Sequence, residues 1–146
     1  MANAPREDSR TAAGLRSFAL LLFVAGVVGI SAELLLLGHY EGLEQWIPIV
    51  LMALSLVTLS ARRVQGGSGL RLFQATMVLF VLSGGVGTWL HYQGNAEFEK
   101  EMYPSLSGVD LFWQSLTGAT PALAPGAMVE LGLLGLAYTY RHPKLG

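Results

Sequence analysis

Two carboxylates and two imidazoles stand inside, or at the edge of, long apolar stretches of this chain, and they are the residues whose types could do chemistry there. Glu130 is expected at the middle of a helix covering about 120–140, with ten residues on either side. An ionised carboxylate at that depth in lipid costs several kcal/mol, so it should face a bundle interior, be paired, or be protonated. Glu33 falls in the later half of an apolar helix over about 16–39, one turn beyond Gly29. A proton relay or ligand site built on Glu130 and Glu33 is one chemistry they suit. The plainer alternative is a protonated acid that hydrogen-bonds between helices. The spans contain no interior lysine or arginine, which leaves Ser31, Ser55, Thr58, Gln74, Thr88 or the histidines as partners.

His39 and His91 form the second constellation. Gly84, Thr88 and His91 follow i, i+4, i+7 spacing, and Gly29, Ala32, Leu36 and His39 trace a stripe on the first helix. Both histidines then lie at one depth, near glycine-lined faces expected to meet. Two imidazoles from neighbouring helices are what axial ligation of haem b requires, and with Glu33 they suit a divalent metal instead. The bland alternative is a pair of boundary histidines that bond to loops and headgroups. His142 reads as a surface residue beside Arg141.

The elements that must position these groups follow from composition. Charged residues make up 13% of the 146 positions and hydrophobic ones 52%, and the charges are clustered. A soluble domain carries about 25% charged residues spread over its surface. Against the roughly 20 residues needed to cross a bilayer, four spans emerge at about 16–39, 43–61, 70–91 and 120–140, each roughly 28–36 Å long. Thr120 and Pro121 read as an N-cap with proline at the first helical position of the last. Residues 1–15 and 141–146 are tails. The expected fold is all-α: a polytopic membrane protein with an antiparallel four-transmembrane-helix bundle and a longer outer loop between helices 3 and 4.

Orientation follows from the cations. Arg6, Arg10, Arg16, Arg62, Arg63, Arg71, Arg141 and Lys144 fall on one side, eight of the nine basic residues. The positive-inside rule assigns that side, with both termini, to the cytoplasm of a cell-membrane protein. Glu41, Glu44, Glu97, Glu99, Glu101 and Asp110 lie outside, against Lys100 alone. A cleaved signal peptide ending near Gly29–Ile30–Ser31–Ala32 is the rival reading, but Ile30 fits a cleavage site poorly and the apolar run resumes through Leu37.

Residues 65–69 (Gln-Gly-Gly-Ser-Gly) read as a short flexible link between two helical hairpins. Each hairpin is marked by a matching tetrapeptide, His39-Tyr40-Glu41-Gly42 and His91-Tyr92-Gln93-Gly94, and an internal duplication competes with coincidence as the explanation. Within the long loop from Gln93 to Ala119, residues 109–116 form an expected short helix on the membrane, anchored by Phe112 and Trp113. Small residues should bring helices together: Ala25-x3-Gly29, Gly26 and Ala32 in the first, Ser83, Gly84, Gly85 and Gly87 in the third, Gly126, Gly132 and Gly135 in the fourth.

Function classes narrow accordingly. Zero cysteines remove disulfides and thiol chemistry, and a net charge of −1 gives no field for nucleic acid. Neither a phosphate-binding glycine loop nor a nucleophile triad is present, so no residue is given a catalytic role and an enzyme is not expected. The leading expectation is an accessory or interaction subunit of a membrane complex, with the lipid bilayer, other membrane subunits or a homodimer as partners. The alternatives are a haem or metal electron-transfer module using His39 and His91, and a small proton-coupled transporter using Glu130 and Glu33.

Overall fold

The computed structural model describes residues 4–145, with side chains from Ser9 onward; the Arg6 side chain, counted above among the basic residues, lies outside them. Among the described residues the chain is all-helical: α1 (Ala4–Leu36), α2 (Trp46–Gln65), α3 (Gly67–Met102), α4 (Gly108–Leu116), α5 (Gly126–Thr139) and a final 3₁₀ turn, Pro143–Leu145. Three helices are long and apolar enough to cross a membrane: α1 from Ser9, α2 and α3.

The N-terminal segment, expected as a tail, is already helical from Ala4. α1 ends in a glycine-dependent cap. Gly38 takes φ +67°, and the N–H groups of Gly38 and His39 donate to the carbonyls of Leu35 and Leu34 at 3.2 and 2.8 Å. This is the Schellman arrangement, which satisfies the last carbonyls of a helix. The Gln45 side-chain oxygen then accepts from the N–H groups of Glu41 and Gly42 and fixes the turn into α2. Pro48 sits in the first turn of α2, where a missing N–H breaks no helical bond.

The expected flexible link at 65–69 is instead a tight corner. Gly66 alone separates α2 from α3, at φ +59°. A Cβ on Gly69 would come within 2.8 Å of the Arg62 backbone nitrogen, so glycine serves close approach there rather than flexibility.

α3 is the centre of the fold and contacts α2, α4, α5 and the final turn, while α1 packs mainly on α5. The core is aromatic and sulfur-rich. Phe23 meets Phe73 edge-on at 5.4 Å, Phe73 meets Tyr138 at 6.1 Å, and Met52, Met77, Val27, Leu70 and Phe80 complete it. Of the small residues expected to join α3 and α5, Gly84, Gly132 and Gly135 do so, whereas a Cβ on Gly85 or Gly126 would meet nothing within 4 Å. A Cβ on Gly84 would stand 2.8 Å from the Pro125 carbonyl oxygen, and one on Gly132 2.8 Å from that of Met77.

α1 departs from expectation. Its inward stripe is Phe23, Val27, Ile30 and Leu34, whereas Ala25, Gly29 and Ala32 are exposed, with nothing within 4 Å of a Cβ built on Gly29.

The long loop proves mostly helical. α3 continues past His91 to Met102, about 54 Å in all at 1.5 Å per residue. The short helix expected over 109–116 is present as α4. The last apolar helix is shorter than expected, 14 residues from Gly126 rather than a span from 120. Pro125 stands at the N-cap with φ −64° and ψ −13°, and its missing N–H suits the start of a helix rather than its interior. Residues 121–125 turn through i→i+3 bonds instead, from Ala124 N–H to the Pro121 carbonyl and Gly126 N–H to that of Leu123.

Candidate functional site

The two histidines come together. Their ring centroids lie 6.5 Å apart at an interplanar angle of 55°. They reach this contact from different local structures: His39 follows the glycine cap of α1, and His91 sits within continuous α3. The two His-Tyr-x-Gly segments are therefore not structurally equivalent. His91 Nδ1 is 3.2 Å from the Pro121 carbonyl oxygen. A carbonyl oxygen can only accept, so Nδ1 is the donor in that contact, as in a ligating histidine held by an outer hydrogen bond.

Asn95, one turn beyond His91, does more to hold this end together. It is 2% exposed, its amide donates to the carbonyls of Ser115 and Thr120, and its oxygen accepts from the Thr120 N–H and hydroxyl. Gly118 allows the approach, since a Cβ there would sit 2.9 Å from Asn95 Cγ. Sequence reasoning missed Asn95. Its i+4 spacing from His91 was the available signal, but only a continuous helix through Gly94 puts the two on one face.

The carboxylates do not join the histidines. Glu33 and Glu130 are both exposed, and among the described residues neither has a hydrogen-bond or ion-pair partner. Glu130 is the fifth residue of α5, not its midpoint, and shares an outward stripe with Leu133 and Ala137 at i, i+3, i+7. Of the alternatives stated for it, the interior-facing one is not what the structure has, and its place at the helix midpoint is corrected. Its face is turned away because Met128, Leu131, Gly132 and Gly135 take the inward side.

The expected polar partners are engaged elsewhere. Ser31 donates to the Met52 sulfur, Ser55 to the Met52 carbonyl, Thr58 to that of Ser55, Gln74 to the Thr139 hydroxyl and Thr88 to the Gly84 carbonyl. Among the described residues no group of three or more His, Cys, Asp or Glu side chains could hold a metal ion, so Glu33 adds no third ligand to the histidine pair.

Two concavities are open at the surface. One, of about 240 Å³, is lined by Arg62, Arg63, Leu70, Tyr138, His142 and Lys144. Arg62 donates to the Tyr138 hydroxyl, with its guanidinium 5.2 Å from that ring's centroid. His142 lies 5.5 Å from the same ring. Burial, and then the charges of Arg16, Lys144 and Arg62, hold the His142 imidazole below the usual histidine range. The other is an apolar groove of about 560 Å³ between α3 and α4, lined by Gly85, Thr88, Trp89, Tyr92, Phe112 and Leu116. Trp89 stacks on Tyr92 at 5.9 Å, and Tyr92 meets Phe112 at the same distance. Neither carboxylate lines either concavity.

Fold and surface define an all-helical protein with three helices long and apolar enough to cross a membrane. Comparison with protein families, curated proteins and solved structures gives no match.

Proposed function

We propose that this chain is a non-catalytic subunit of a membrane assembly, and that the outward faces of α1 and α5 are where a partner's transmembrane helix packs. The observation carrying this reading is the exposure of Glu33 and Glu130, without partners, within apolar helices. A bare acidic side chain inside the hydrocarbon region is costly to insert. A partner helix bearing hydrogen-bond donors removes that cost. The exposed Ala25-x3-Gly29 pair on α1 supports the same reading, because small residues at this spacing let helix backbones approach closely.

In this reading the chain crosses the cell membrane four times as an antiparallel four-helix bundle, with both termini cytoplasmic and the acidic loops outside. The turns at 121–125 lengthen the short α5 toward a full crossing. The clustering of Arg16, Arg62, Arg63, Arg71, Arg141 and Lys144 against the acidic segments supports the orientation.

The absence of cysteine makes the test direct. Single variants Ala25→Cys, Gly29→Cys and, as a lipid-facing control on α3, Val86→Cys are treated with a bifunctional thiol–amine cross-linker in native membranes. A discrete adduct from positions 25 and 29, absent from position 86, is expected. A product of twice the chain's mass makes the partner a second copy. Equal labelling by a lipid-soluble maleimide at all three positions, with no adduct, overturns the proposal.

A second reading rests on the His39–His91 contact, which suits a metal or haem electron-transfer module. Binding one metal ion requires a nitrogen of each ring at about 2.0–2.1 Å from it, and rings 6.5 Å apart lie within reach of that geometry. Here His39 and His91 would be the ligands, with His91 oriented by Pro121. An absorbance scan with and without dithionite, together with elemental analysis of protein made with haem and metals in excess, decides it. A Soret band or bound metal that disappears in His39→Ala supports this module; neither signal in the wild type removes it.

A further inference from the structure

We infer that the concavity at the basic end of the helices is a binding site for a phosphate-bearing anion, the headgroup of an anionic phospholipid being the source it suits. Four cationic or ionisable side chains line it, Arg62, Arg63, His142 and Lys144, and no carboxylate does. Among the described residues none of these cations has an ion-pair partner, so the positive charge is left for a ligand to neutralise.

The site is assembled from three separate parts of the chain. Arg62 and Arg63 come from the last turn of α2 and Leu70 from the first turns of α3. The remainder comes from Tyr138 near the end of α5 and from the residues after it. Arg141 adopts φ +46°, rare for a residue other than glycine. The chain folds back there and places His142 and Lys144 over the α2–α3 corner, where a Cβ on Gly67 would stand 2.6 Å from the Lys144 carbonyl oxygen. Leu145 then packs against the core and holds the segment down. A tail serving only to carry positive charge needs neither the strained residue nor this docking.

The donors are prepared for an anion. His142 Nδ1 accepts from the Lys144 backbone N–H at 3.2 Å, which leaves Nε2–H as a donor. Arg62 is steadied by the Tyr138 hydroxyl and ring, so its guanidinium is positioned before a ligand arrives. Arg63 and Lys144 are exposed and supply mobile charge at the mouth. Basic pockets between membrane helices on the cytoplasmic side are where anionic headgroups bind.

The test uses the full chain in mild detergent and native mass spectrometry. Phosphatidylglycerol and phosphatidylcholine with identical acyl chains are titrated in parallel, and inorganic phosphate is added alone in a third arm. Arg63→Gln and Lys144→Gln remove exposed charges at the mouth, with folding checked by circular dichroism. Arg71→Gln removes an exposed arginine from the same end but outside the concavity. Preferential retention of phosphatidylglycerol is expected, weakened about fivefold for each mouth charge removed and unchanged in Arg71→Gln. Binding of inorganic phosphate, lost in the mouth variants, with no preference between the lipids, identifies the ligand as the free ion in the same site. Equal weakening by Arg71→Gln, or no preference between the lipids and no phosphate binding, overturns the inference.

Discussion

The imidazoles of His39 and His91 meet at 6.5 Å, one delivered by the glycine cap of α1 and the other by an uninterrupted α3. Among the described residues only His91 of the two has a side-chain hydrogen bond, from Nδ1 to the Pro121 carbonyl, and this bond ties α3 to the segment leading into α5. The two histidines therefore differ in their structural weight. His91→Ala is expected to destabilise the protein by about 0.5–1.5 kcal/mol, the usual net contribution of one hydrogen bond. His39→Ala should stay closer to wild type. Thermal unfolding of both variants in the same detergent checks the order.

Asn95 should be the more sensitive position. Asn95→Ala removes the partner of the buried Ser115 carbonyl and of the half-buried Thr120 carbonyl and N–H bonds. A buried polar group left unpaired costs about 1–3 kcal/mol. Limited proteolysis is the readout, with faster cleavage expected at 103–107 and 117–120 while α1 and α2 stay protected. An unchanged cleavage pattern would mean that α4 is held by its aromatic contacts alone.

Two adjacent glycines in α3 should behave oppositely. A Cβ at position 84 would lie 2.8 Å from the Pro125 carbonyl oxygen and 2.9 Å from the Val129 nitrogen, both backbone atoms, whereas one at position 85 meets nothing within 4 Å. Gly84→Ala must push α5 away and is expected to lower the melting temperature by several degrees, as about 1–3 kcal/mol of overpacking does. Gly85→Ala should be neutral or slightly stabilising, since alanine favours helix by about 1 kcal/mol. Equal effects at the two positions would contradict the α3–α5 packing.

The protonation of His142 gives a pH prediction with a definite sign. Burial first, then Arg16, Lys144 and Arg62, lower its pKa below the ordinary 6.5, and the Tyr138 ring packs against it. The unfolded chain therefore binds this proton more readily than the folded one. Its contribution to stability is fully present above about pH 6.5 and is lost as the pH falls toward the lowered folded value. Melting temperatures of wild type and His142→Gln are expected to show this slope in their difference, which cancels the other histidines. A flat difference curve would refute it.

How much was legible in advance divides along physical lines. Composition and hydropathy were enough to show that apolar helices dominate, roughly where they run, that basic residues gather at one end, and that a short helix lies within 109–116. Hydropathy and charge are local properties, and each helix carries its own. The sequence also placed His39 and His91 at one depth and marked Gly84, Gly132 and Gly135 for close helix contact, whereas Gly85 and Gly126, marked alike, meet nothing within 4 Å.

Which face of each helix turns inward was decided only in three dimensions. Period-3.6 patterning reveals the buried face of a soluble helix because water demands polarity opposite it. A helix in lipid is apolar all round, so the sequence does not mark Ala25, Gly29 and Glu33 as outward or Phe23 and Val27 as inward. The choice falls to shape. Phe23 enters the space between Phe73 and Phe80, Leu131 packs over Gly26, and the remaining faces of α1 and α5, with Glu33 and Glu130, are left on the outside.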